Sequence, residues 1–174
     1  MKNNVTLFLI LLSPLIFSDE ITLNQLRMDK RFGIGLSAAG PLSLLGIEFD
    51  FNLTEEISIT GGIGTGLDYS TLAFKGKYFF LGKSVSPYFG FGFARWWANS
   101  TPNKQLSPSV LANKFIKSGS DIRDGFSVWM FYPAIGVQFM HPLGLAFYAE
   151  AQYLFKLFSF ANGTYAGLGV QWYF

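Results

Sequence analysis

The sequence has no cysteine and a single histidine among its 174 residues. Disulfides and cysteine-linked lipid anchors are therefore excluded, and a transition-metal site would have little to draw on beyond His141. Charge is scarce: 14% of residues are Asp, Glu, Lys or Arg, against about 25% in an average soluble domain. Such a chain has a poor water-facing surface. Beyond the N-terminal segment there is no run of 18 or more apolar residues, so no transmembrane helix is expected. There is no G-x-G-x-x-G and no phosphate-binding loop motif. What the chain does have is apolar: 50% hydrophobic residues and 18% aromatic. High hydrophobicity without a spanning helix points to a membrane β-barrel, because only helices and closed barrels satisfy every backbone polar group in hydrocarbon.

The length predicts one domain. Residues 1–18 read as a cleavable secretory signal peptide: Lys2 supplies the basic start, Val5 to Phe17 the apolar core, and Ser18 a small residue before Asp19 and Glu20. Removing them takes one base and no acid, which lowers the formal net charge of +2 by one. That gives no argument for nucleic acid as a partner. Residues 19–31 are polar with scattered apolar side chains, and are expected to be a short periplasmic lead-in.

From residue 32 the chain alternates with a period of two, the signature of strands whose two faces meet different media. The end is the clearest case. Phe174, Trp172, Val170, Leu168, Ala166 and Thr164 share one face; Tyr173, Gln171, Gly169, Gly167, Tyr165 and Gly163 share the other. Seven similar segments precede it: Phe32–Ala39, Leu44–Leu53, Ile57–Leu67, Thr71–Leu81, Pro87–Trp97, Phe126–Met140 and Leu143–Leu157. Ala98–Gly125 has no such period and is expected to be one long outer loop. Most segments match the 9–11 residues of a tilted membrane strand. The expected fold is all-β: a closed eight-stranded antiparallel transmembrane β-barrel over residues 32–174. Closure leaves no sheet edge exposed to hydrocarbon. A soluble lipocalin-like barrel would instead bury the apolar set. Here the polar set holds most of the glycines, which suits a narrow interior filled by side chains.

Several positions carry specific expectations. Trp96, Trp97 and Trp129 at the outer end, with Phe80, Phe139, Trp172 and Phe174 at the inner end, read as two aromatic girdles. Pro133 in mid-strand removes a ladder donor, and a bulge is expected there. Arg95 faces outward by register, near the outer interface.

The polar face carries Glu48, Asp50 and Glu150 with Lys75, Lys77 and Lys156. Three acids and three bases in a low-dielectric interior make a mutually neutralising plug the simplest reading. A charge-lined ion path is the sharper alternative. Acid–base catalysis by these carboxylates has no substrate placed beside them. His141 lies in an expected periplasmic turn, with no nucleophile in view. In the long loop Lys104, Lys114, Lys117 and Arg123 outnumber Asp121 and Asp124, and Val110, Leu111 and Phe115 group together. A surface ligand or lipopolysaccharide phosphate are both readings of that loop.

The strand count, the alternation and the terminal Phe resemble the small eight-stranded outer-membrane families: the outer-membrane protein A barrel, outer-membrane protein X and the opacity proteins. The resemblance implies an integral outer-membrane protein of a Gram-negative-type bacterium, without cofactor, set among outer-membrane lipid and lipopolysaccharide. It implies a closing strand, ending in Trp172 and Phe174, that the barrel assembly machinery recognises. It implies a structural or surface-interaction role rather than an enzymatic one, with a narrow channel or small-solute transporter as the alternative. Lipid A deacylases are also small barrels, but they keep His and Ser on the lipid-facing wall toward the outer leaflet. This sequence departs from them at its only His, which makes a lipid-modifying enzyme the weakest of the three readings.

Overall fold

The computed structural model describes residues 23–66, 69–80, 82, 84–98, 127–158 and 161–174. Within these, eight strands form one closed antiparallel barrel in sequence order. They are β1 (Phe32–Ala38), β2 (Leu45–Asn52), β3 (Ile57–Thr65), β4 (Tyr69–Phe79), β5 (Val85–Ala98), β6 (Ser127–Met140), β7 (Leu145–Lys156) and β8 (Asn162–Tyr173). Each lies within a few residues of the segment its alternation predicts. The first strand pairs with the last, Ile34 opposite Trp172 and Leu36 opposite Val170. Past that pair, the Phe174 N–H donates to the Phe32 carbonyl at 2.8 Å. An even strand count brings Phe32 and Phe174 to the same rim, called here the near rim.

The wall has the polarity the alternation predicts. Phe49, Phe74, Phe91, Ile135 and Leu168 face outward and are exposed; Ile135 retains 67% of its surface. Glu48, Asp50, Lys75, Lys77, Glu150 and Gln171 face inward and are buried. No described helix is long and apolar enough to cross a membrane, so any crossing is made by the strands.

Two expectations are corrected. Trp96 is not part of an outer girdle: it is fully buried in the interior, while Trp129 is exposed and Trp97 is half-exposed on the wall. Its parity is that of Ala94 and Gly92, and the alternation holds even for a side chain of that size. Pro133 makes no bulge. Its pairing with Phe91 of β5 is continuous. On the β7 side the ladder lapses at Tyr132 and Pro133 and resumes in the same register, Phe131 opposite Phe155 and Ala134 opposite Gln152. The missing N–H thus costs a stretch of pairing without inserting a residue.

The expected lead-in, residues 19–31, carries a helix. Leu23–Asp29 form a helix, α1, with Leu23, Leu26 and Arg27 buried at the near rim. The spacing i, i+3, i+4 puts these three on one stripe. Leu23 and Leu26 pack on Met140, Ala146 and Tyr173. At the far rim the β1–β2 connection is likewise no plain turn. Gly40–Leu42 form a 3-10 turn, all three residues buried.

The secretory segment 1–18 and the loop residues Lys104, Lys114, Phe115, Lys117 and Arg123 lie outside the described residues.

Candidate functional site

The interior is built in three layers. At the near rim, Arg27 of α1 lies over the ring of Phe79, its Cζ 3.6 Å from the centroid. Its Nη2 donates to Gln138 Oε1 at 3.3 Å. Burial pulls the guanidinium down to about 10, which leaves it charged at neutral pH. Gln138 then donates to Gln171 at 3.2 Å and to the Tyr173 hydroxyl at 3.1 Å.

The middle layer holds the charges. Lys75 of β4 reaches across to Glu150 of β7 and donates to both carboxylate oxygens, at 2.6 and 2.7 Å. Glu150 also accepts from Tyr88 at 2.7 Å and from Gln152 at 2.5 Å. Lys77 pairs with Asp50, which accepts in addition from Thr60 at 3.1 Å. Glu48 accepts from the Tyr148 hydroxyl at 2.7 Å and from Gln171 at 3.2 Å. Each of the three carboxylates thus accepts from two or more donors, the compensation that a low-dielectric interior requires.

Of the six charged residues expected here, the structure brings five together. Lys156 does not join them. It keeps inward parity but stands near the far rim, opposite Met130 and half-buried. Arg27 of α1 supplies the third buried cation instead. The buried acids Glu48, Asp50 and Glu150 thus face Arg27, Lys75 and Lys77, three against three.

At the far rim the interior turns apolar. Leu42 packs with Tyr69, Trp96, Met130, Tyr132 and Leu154. The Trp96 indole N–H donates to the Pro41 carbonyl at 2.7 Å, and the Ser43 and Tyr69 hydroxyls are hydrogen-bonded. Two glycines make room for this turn. A Cβ on Gly62 would stand 2.6 Å from Leu42 Cδ1, and one on Gly64 2.2 Å from the Leu42 carbonyl oxygen. Between the middle and far layers lies a cavity of about 10 Å³, bordered by Ser37, Leu42, Glu48, Lys75, Tyr132 and Gln152. That is room for about one water molecule.

The remaining candidates are dispersed. His141 sits in the near-rim turn between β6 and β7, where its Nδ1 accepts from the Leu143 N–H at 3.2 Å. Trp172 and Phe174 face outward, and the Phe174 ring stacks on Phe32 with centroids 6.3 Å apart.

A closed ladder, an apolar wall and an interior of buried charges define the class: an eight-stranded β-barrel with the inside-out polarity of a membrane-spanning one. No protein-family model matches the chain, and no curated protein matches it. Among solved structures the chain is similar to the outer membrane protein Ail of Yersinia pestis, whose backbone structure was determined in a phospholipid bilayer nanodisc. The match has 17% sequence identity, covers 83% of this chain and 99% of that one, and has a TM-score of 0.43.

Proposed function

We propose that this protein is an integral outer-membrane barrel with a structural or surface-interaction role and a lumen closed to solutes. The apolar wall supports membrane insertion, and residues 1–18 serve as the export signal in this reading. The observation that carries the closed lumen is the middle layer. Lys75–Glu150 reaches across the interior from β4 to β7, Lys77 pairs with Asp50, Glu48 is engaged by Tyr148 and Gln171, and the cavity beside them has room for about one water. An ion entering this cross-section would have to separate buried pairs, at a cost of several kcal/mol each.

In this reading the surface role falls to the loop between β5 and β6, which meets lipopolysaccharide or a surface ligand. The barrel assembly machinery inserts the chain through its closing strand. No enzymatic step is assigned to the interior in this reading, because its carboxylates are engaged by hydrogen-bond donors.

The test is conductance of the refolded full chain in a planar bilayer. The expected result is silence across the accessible voltage range. Steady, ion-selective openings would overturn the closed lumen and make the narrow-channel reading the right one. Glu48, Lys75, Lys77 and Glu150 would then be the residues to change.

A further inference from the structure

The outward faces of the eight strands carry one charged side chain among the described residues, Arg95 of β5. Its surroundings are built. The guanidinium stands between two indoles, its Cζ 5.8 Å from the Trp97 ring and 5.5 Å from the Trp129 ring. Its Nε donates to Ser127 Oγ at 3.1 Å. Both contacts orient the planar group, and indole is the aromatic partner that favours a cation most. Among the described residues no carboxylate pairs with it. Three groups thus fix a positive charge on the wall and, among the described residues, leave its two terminal nitrogens without a protein hydrogen bond.

The height of the site decides what meets it. Val85 opens β5 at the near rim and Arg95 lies ten residues on. At about 3.3 Å per residue and a tilt of about 40°, the climb is about 25 Å, the height of the apolar band in such barrels. Below Arg95 the wall is aromatic, Phe93 against Phe131 with centroids 5.4 Å apart. The guanidinium therefore stands at the upper edge of the hydrocarbon, where acyl chains end and headgroups begin.

We propose that Arg95, held by Trp97, Trp129 and Ser127, is a binding site for the phosphate of an anionic lipid in the far-rim leaflet. The inference rests on the membrane-spanning reading above. A guanidinium offers paired donors that match a phosphate in two-point contact. Phe93 and Phe131 line the wall beneath the headgroup, where ring and acyl chain share apolar contact. A soluble anion would gain the charge contact without the apolar one, so the site selects a lipid.

The experiment uses the full folded chain in phosphatidylcholine nanodiscs containing increasing fractions of bisphosphorylated lipid A. Tryptophan emission reports occupancy, and native mass spectrometry counts the lipid A retained. Saturable binding is expected, with the half-saturating fraction raised about tenfold or more in Arg95→Gln and less in Arg95→Lys, which keeps the charge but loses the planar fork. Equal binding by Arg95→Gln overturns the proposal, as does equal binding of lipid A stripped of both phosphates. A matching response to inorganic phosphate overturns it in favour of a free-anion site. Insertion is scored separately by heat-dependent gel mobility. A chain that inserts but fails the lipid arms sinks this inference alone, whereas a chain that does not insert sinks the membrane reading with it.

Discussion

Arg27 and Phe79, 52 positions apart in the chain, meet at the near rim: the guanidinium carbon lies over the ring, 3.6 Å from its centre. One belongs to the helix that precedes the barrel, the other to the last residue of β4. The contact fastens α1 into the near rim, and Gln138 of β6 holds the same guanidinium by a hydrogen bond.

Replacing Arg27 by Ala is expected to lower stability by about 2–4 kcal/mol, since a desolvated cation–π contact and a charged hydrogen bond are lost together. Arg27→Lys should recover only part of this, because an ammonium cannot lie flat on the ring and reach Gln138. Urea unfolding of the refolded protein in lipid vesicles measures both. A loss under about 0.5 kcal/mol for the alanine variant would show that the helix is not fastened there.

The Lys77–Asp50 pair is fully enclosed, and its two members are not interchangeable with single deletions. Lys77→Met leaves the Asp50 carboxylate uncompensated and should cost about 3–5 kcal/mol. Lys77→Met combined with Asp50→Leu should cost less than the sum of the two single changes, by about 1–3 kcal/mol of coupling. A double-mutant cycle on unfolding free energies checks the sign. Simple additivity would mean that the pair does not act as a unit.

Gly40 opens the turn that fills the far rim, with φ of 74°, a region that costs other residues strain. A Cβ there would stand 2.4 Å from Gln152 Oε1, the side chain that donates to Glu150. Gly40→Ala is therefore expected to destabilise by about 1–3 kcal/mol. Because Gln152 must move, an Ala substitution at Gln152 should relieve part of the penalty. Comparing the single and double variants by thermal unfolding decides whether strain alone or the clash as well is at work.

The strands were legible because each has an apolar medium on one side and a crowded interior on the other, which imposes a period of two over long stretches. That same rule predicts the inward set Glu48, Asp50, Lys75, Lys77 and Glu150. Their partnering was not legible. Lys75 and Glu150 sit on strands at opposite sides of the barrel, and only closure brings them within 2.6 Å. Lys156 has inward parity too, but parity says nothing about height, and its height removes it from the cluster. Trp96 shows the opposite case, in which three tryptophans near one rim suggested a girdle although the alternation already pointed one of them inward. The helix Leu23–Asp29 carried a weak signal, since seven residues cover barely two turns and one member of its buried stripe is an arginine. Propensity in so short a segment decides little, and packing against the barrel floor decides the rest.

The interior glycines also govern how this chain can change over time. Outside, any apolar side chain of moderate size meets the same fluid hydrocarbon, so Leu168 or Ile135 can drift to a neighbouring type with little consequence. Inside, a methyl group at Gly62 or Gly64 collides with the turn that closes the far rim. Mutational tolerance should therefore rise and fall along each strand with the spacing of the pleat itself: permissive on one residue, unforgiving on the next.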